Sequence, residues 1–206
     1  PSNQYSLIPF GRLREPLSNL KRSDLIIFIK KVQSNFEIKK RLQPTITSNQ
    51  IKQFDCDVRS VLYKHINTGL EDFKGLEKID SSNKIKCPVI AIAGIGNPQP
   101  FFSEVDNIFE TVLLKKELPD HYNYKKNISK ITNMLSCVYS EYKTIEGNTK
   151  FKGRHDKMSI VTTLKDYIKI IHLPFIKNTE YNLYILDIEF SINKESLLLK
   201  SLLRKR

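Results

Sequence analysis

Pro88-Val89-Ile90-Ala91-Ile92-Ala93-Gly94-Ile95-Gly96-Asn97-Pro98 is the stretch on which the fold of this 206-residue chain turns. Val89 to Ala93 is continuously apolar, rich in β-branched residues, and bounded by Pro88 on one side and a Gly-x-Gly turn on the other. So short a run is a strand rather than a helix, and a strand apolar on both faces belongs inside a mainly parallel sheet covered by helices. After the Gly94 to Pro98 turn, a helix is predicted from Pro100 to Phe109.

Outward from this strand the same alternation continues. Asp24-Leu25-Ile26-Ile27-Phe28-Ile29 reads as a second strand buried on both faces, and Phe54 to Leu62 as an extended segment. Residues 30–50 predict a short helix and then a loop around Pro44, and the polar stretch up to Lys86 carries turn signals. Downstream, Thr111 to Leu118 is a strand, and Ile128, Ile131, Leu135, Val138 and Tyr142 fall at helical spacing. Met158 to Thr163 is a strand followed by a helix from Leu164 to about Ile171. Tyr181 to Phe190 is a late strand, and Ser196 to Leu203 a last helix before Arg204-Lys205-Arg206. Strands alternating with helices define an α/β chain with a mainly parallel sheet and flanking helices.

Composition excludes several classes. With 40% hydrophobic and 27% charged residues the chain is globular. Its longest apolar runs fall short of the ~18 residues of a membrane-spanning helix. No apolar segment with a cleavage site opens it, which predicts a soluble intracellular protein. The net charge of +12 comes with many Lys, Ile and Asn and with alanine only at Ala91 and Ala93, the skew of an A+T-rich genome. A basic surface still favours anionic partners such as phosphates, acidic headgroups or nucleic acid. Cys56, Cys87 and Cys137 are dispersed and read as reduced thiols, with no clustered set for zinc. None of the seven glycines is followed by Lys and Ser or Thr, so this sequence contains no nucleotide-binding P-loop. The first residue is Pro1, which predicts a processed chain or a piece of a longer one.

Ligands of open α/β sheets bind beyond the carboxyl ends of strands. Four segments with unusual residues occupy such places. Ile8 to Pro16 fences Arg14 and Glu15 between prolines, pairing a phosphate-binding cation with a carboxylate able to reach a metal ion or orient the arginine. Gly94-Ile95-Gly96-Asn97-Pro98 lets the backbone approach a ligand ahead of a helix start. Pro119-Asp120-His121-Tyr122 sets a carboxylate beside an imidazole that titrates near neutrality. Val161-Thr162-Thr163-Leu164-Lys165-Asp166 caps a helix and offers a lysine to a phosphate. Each has a plainer reading as a turn, a cap or a solvated loop. His65, His155 and His172 have no such neighbours and read as surface or packing residues.

Taken together and in order, these segments resemble the tetraacyldisaccharide 4′-kinase family, the lipid A 4′-kinases. The matching residues are Leu13-Arg14-Glu15-Pro16-Leu17 with Lys21-Arg22-Ser23-Asp24, Ala93 to Pro98 with Phe101-Phe102, Leu118-Pro119-Asp120-His121, and Thr162-Thr163 with Lys165-Asp166. After about residue 175 only the strand–helix character matches. The resemblance implies a P-loop kinase fold of which this chain is the C-terminal part. Residues 1–22 would then be the tail of the N-terminal P-loop domain and residues 23–206 the C-terminal α/β domain. It implies ATP-dependent phosphorylation of the 4′-hydroxyl of an acylated glucosamine disaccharide 1-phosphate. ATP and Mg2+ would be held mainly by the half that precedes this sequence, with peripheral attachment to the cytoplasmic face of the bacterial inner membrane. It further implies that His121 tunes proton removal by an aspartate outside this sequence. Asp120 would hold the imidazole, Arg14 would lie near the transferring phosphate and Glu15 near the metal, while Gly94, Gly96 and Asn97 shape the substrate-facing loop. Two departures stand out: Arg12 where the family usually has proline, and Leu164 where it usually has glutamate. Other readings are a non-catalytic remnant of a split kinase gene and a basic nucleic-acid-binding module. The latter lacks the interleaved aromatic and basic residues of RNA-binding sheets.

Overall fold

The computed structural model describes residues 6–11, 13–30, 35–66, 75–146, 158–177 and 181–192. They divide between two compact units, Pro1–Arg59 with Glu189–Arg206, and Ser60–Ile188.

In the unit Ser60–Ile188, strand β4 (Val89–Ala93) pairs in parallel with β5 (Val112–Glu117) on one side and β6 (Met158–Thr163) on the other. β6 in turn pairs in parallel with β7 (Tyr181–Ile192), and β7 neighbours β2 (Lys52–His65). This central position is why every residue of β4 is buried. Its period-two alternation feeds two separate cores. Ile90 and Ile92 pack with Ile160, Leu183 and Ile185 of neighbouring strands, with Ile131 and Leu135 of α3 (Ile128–Glu146), and with Tyr167 and Ile170 of α4 (Leu164–Ile170). Val89, Ala91 and Ala93 face the other way, against Phe101, Phe102, Val105 and Ile108 of α2 (Gln99–Ile108). Side chains no larger than alanine at 91 and 93 leave room for the adjacent phenylalanines of α2, which meet edge to face with centroids 5.3 Å apart. Helices therefore cover both faces, as the sequence of β4 requires.

Three features of this unit escape the sequence pattern. β3 (Leu76–Ile79) pairs antiparallel with the end of β2, four residues too few to stand out among turn signals. A short α5 (Pro174–Lys177) follows α4. β2 itself runs from Lys52 to His65, well beyond the predicted extended segment.

In the unit Pro1–Arg59 with Glu189–Arg206, a 3-10 helix, Leu17–Arg22, precedes β1 (Leu25–Lys30), which pairs in parallel with the first part of β2. Phe28 packs with Leu42, Ile46 and Ile51 under α1 (Asn35–Ser48). Two expectations are corrected here. The strand at Leu25 is not buried on both faces: Ile27 and Ile29 remain 40% and 44% exposed, because α1 covers only the side that carries Phe28. Nor does the chain loop at Pro44, which lies inside α1. Ile38, Leu42 and Ile46 recur every four residues on the face that packs against Phe28, and their burial outweighs a proline penalty of about 3 kcal/mol. The predicted helix Ser196 to Leu203 and the basic tail lie outside the described residues.

Candidate active site

The carboxyl ends of β5, β4 and β6, three adjacent parallel strands, bring three of the four predicted segments together. At the end of β6, Thr163 caps α4: its hydroxyl accepts from the backbone N–H of Asp166 at 3.2 Å and donates to the Asp166 carboxylate at 3.0 Å. That carboxylate is completely buried, and two more groups donate to it, the Gly94 backbone N–H at 2.7 Å and the Lys169 ammonium at 3.2 Å. Capping, the plainer reading of this segment, thus holds. The link to Gly94 adds to it, closing the end of β4 onto the end of β6.

That link also explains Gly94. A Cβ there would stand 3.0 Å from the Asp166 carboxylate and 3.5 Å from both the Pro119 carbonyl and Tyr122. The glycine suits this close approach, since a side chain there would make the Asp166 carboxylate give way. Gly96 is different: it is exposed, and a Cβ on it would meet nothing closer than Asp120 at 3.7 Å. Asn97 is likewise exposed at the mouth of the loop, and Pro98 beside it is buried.

After β5, the Leu118 N–H donates to the Ala93 carbonyl at 2.8 Å, and the chain then turns so that the Tyr122 N–H reaches the Pro119 carbonyl at 3.1 Å. His121 is the third residue of this turn, at φ 61°, a left-handed conformation that costs a non-glycine residue energy. Asp120 holds it there by accepting the His121 backbone N–H at 3.0 Å. The imidazole Nε2 stands 3.8 Å from the other Asp120 oxygen, so Asp120 bonds the turn and lies beside the ring. The Asp120 carboxyl also accepts from Lys165 at 2.6 Å. This hydrogen bond first, then the lysine charge, the His121 ring and the His121 N–H, hold its pKa below the usual carboxylate range. The His121 side chain is 81% exposed, open to a reacting group.

Beneath the turn, Tyr122 and Tyr124 pack edge to face at 5.1 Å. The Tyr124 hydroxyl is buried without a well-formed hydrogen bond. Burial first, and the nearby Asp166 charge second, keep that phenol protonated.

The fourth segment belongs to the other compact unit. The Ile8 N–H donates to the Leu13 carbonyl, the Gly11 N–H to that of Leu7 and the Leu13 N–H to that of Ser6, with Arg14 and Glu15 exposed just beyond. The Glu15 carboxylate accepts from Arg22 and, at 3.2 Å, from Asn19. No group of three or more His, Cys, Asp or Glu residues able to hold a metal ion occurs among the described residues. These residues do not by themselves make a magnesium site.

The remaining histidines follow expectation where described. His172 is exposed. His65 is partly buried, hydrogen-bonded through Nδ1 to the Tyr167 hydroxyl at 3.0 Å, and its basicity is lowered by burial. His155 and Arg12 lie outside the described residues. Sequence reading missed the roles of Lys165 and Asp166 across the strand ends. Their partners are 45 and 72 residues away, and no local signal marks such pairs.

Hydroxyls, carboxylates, a lysine and an exposed imidazole gathered beyond the carboxyl ends of adjacent parallel strands make a candidate ligand site in a protein of the α/β class. The chain belongs to the tetraacyldisaccharide-1-P 4′-kinase family, which matches it over residues 1–206. The tetraacyldisaccharide 4′-kinase of Rickettsia akari is 30% identical over 200 residues, 97% of this chain and 47% of that protein. That of Halothermothrix orenii is 27% identical over 199 residues, 93% of this chain and 47% of the relative. The chain therefore spans about half the length of the curated relatives it matches. The crystal structure of LpxK from Aquifex aeolicus in complex with ATP shares the fold, with a TM-score of 0.53 at 19% identity, covering 98% of this chain and 48% of that one. The family expected from four short motifs is the family found.

Proposed function

We propose that this chain is the C-terminal part of an ATP-dependent kinase that phosphorylates the 4′-hydroxyl of the tetraacylated glucosamine disaccharide 1-phosphate in lipid A biosynthesis. The observation that carries the reading is the convergence of Gly94, Asp120-His121 and Lys165-Asp166 on three adjacent strand ends within a chain that matches the kinase family throughout. A P-loop outside this sequence cradles the nucleotide phosphates.

In the transfer, the sugar oxygen bonds to the γ-phosphorus as the bond to the departing ADP oxygen breaks, and the hydroxyl proton passes to a base. His121 assists that base, an aspartate of the preceding half. An imidazole whose side chain is exposed and stands beside a carboxylate suits this task. Asp120 keeps the His121 turn in place. Arg14 stabilises charge on the transferring phosphoryl group, where electrostatics dominate catalysis. Gly96 and Asn97, both exposed, line the substrate side of a loop that Gly94 shapes. Magnesium, when bound, neutralises phosphate charge. Glu15, whose carboxylate accepts from Arg22 and Asn19, would be this chain's contribution to holding that ion, the other ligands coming from the P-loop half.

The acylated substrate places the enzyme against a bilayer, as a peripheral protein on the cytoplasmic face of the inner membrane. None of the described helices is long and apolar enough to cross a membrane. Basic residues contribute about 1 kcal/mol each near an anionic surface.

The test is transfer of labelled γ-phosphate from ATP to the disaccharide. The 206-residue chain alone is expected to give none, and the chain joined to a P-loop half to give turnover. In that assembly His121→Ala is expected to lower kcat by roughly 10²–10⁴-fold with little change in ATP binding. Full turnover without the imidazole would return His121 to a turn residue.

A further inference from the structure

We propose that Lys165 and Asp166, neighbours in the first turn of α4, are a pair of positioning residues that together set the Gly94 loop and the turn carrying His121. The catalytic consequence rests on the kinase reading above. The mechanics rest on geometry alone.

Asp166 accepts three donors besides its own cap: the Gly94 N–H, the Thr163 hydroxyl and the Lys169 ammonium. A fully buried carboxylate so engaged is fixed in place, because any displacement strands a charge without partners. The Gly94 backbone is drawn to it so closely that a Cβ would not fit without movement. Lys165 projects about 100° further round the helix and reaches Asp120 Oδ1, the same oxygen that accepts the His121 N–H. The left-handed conformation of His121 thus hangs on an oxygen that Lys165 holds from the far side. Two contacts spanning 72 and 45 residues start from consecutive residues of one helical turn, itself locked by the Thr163 cap. Because the Lys165–Asp120 pair is nearly half exposed on both sides, it adds little to global stability. Its effect is the orientation of the turn.

The decisive experiment is hydrogen exchange at single backbone amides of the 206-residue chain, read by NMR. Lys165→Met is expected to speed exchange at the His121 amide about tenfold while leaving Gly94 unchanged, a local opening rather than global unfolding. Lys165→Arg, which preserves the ion pair, is expected to restore it. Asp166→Asn is expected to speed exchange at Gly94. Should that buried substitution prevent folding, the two Lys165 variants decide the matter alone. Equal His121 exchange in wild type and Lys165→Met overturns the proposal. In the chain joined to a P-loop half, Lys165→Met is expected to lower kcat about tenfold, a change of 1.4 kcal/mol in barrier, with KM for ATP unchanged. An unchanged kcat removes the catalytic consequence. If the unsubstituted assembly transfers no phosphate at all, the kinase reading fails, and amide exchange still decides the positioning role.

Discussion

Two glycines two positions apart do different work. A Cβ at Gly94 would press on Asp166 at 3.0 Å, whereas one at Gly96 would make only ordinary contact with Asp120 at 3.7 Å. Gly94→Ala must push back a buried, fully bonded carboxylate, and is expected to destabilise the chain by about 1–3 kcal/mol, the usual cost of overpacking. Gly96→Ala is expected to stay within about 0.5 kcal/mol of wild type. Urea unfolding of both variants checks this, and equal losses would mean that the loop yields at both places. The same contrast separates His121 from His65. One is exposed on a turn held by its neighbour's carboxylate; the other is half-buried against Tyr167.

At the scale of elements, the strand ends are held by helices whose apolar faces fit the alternation of β4. Leu135 of α3 is completely buried among Ile90, Ile92 and Ile131, with Tyr124 and Tyr167 in the same cluster. Leu135→Ala leaves a cavity in that layer and is expected to cost about 2–5 kcal/mol. Thermal or urea unfolding measures it. A loss below 1 kcal/mol would show that α3 collapses into the space. The α1 helix teaches the complementary point. Its proline argues locally for a loop, yet the four-residue recurrence of Ile38, Leu42 and Ile46 against Phe28 prevails. Packing outweighs propensity when the apolar stripe is continuous.

For the molecule as a whole, pH reports on burial. His65 has its basicity lowered by burial, so the unfolded chain takes up a proton at about pH 6.5 while the folded chain still resists it. The stability contributed by neutral His65 is therefore complete above about pH 6.5 and lost as pH falls through the lower folded value. Thermal midpoints are expected to fall between pH 7.5 and 5, with a shallower fall in His65→Gln. Identical profiles would show that the site does not resist protonation. The sequence alone determined the parallel α/β character, through the uninterrupted apolar run of β4, and the family, through four short motifs in order. Those signals are local and survive in one dimension. It also placed Gly94, Gly96, Asn97, Asp120 and His121 at strand ends, since turns and carboxyl ends are read from neighbouring residues. Only the tertiary structure decided that Asp166 holds Gly94, that Lys165 holds Asp120, that β1 is exposed on one face and that α1 runs through Pro44. Each depends on partners far away in the chain, and contact energies between distant residues leave no periodic trace in the sequence that folds to make them.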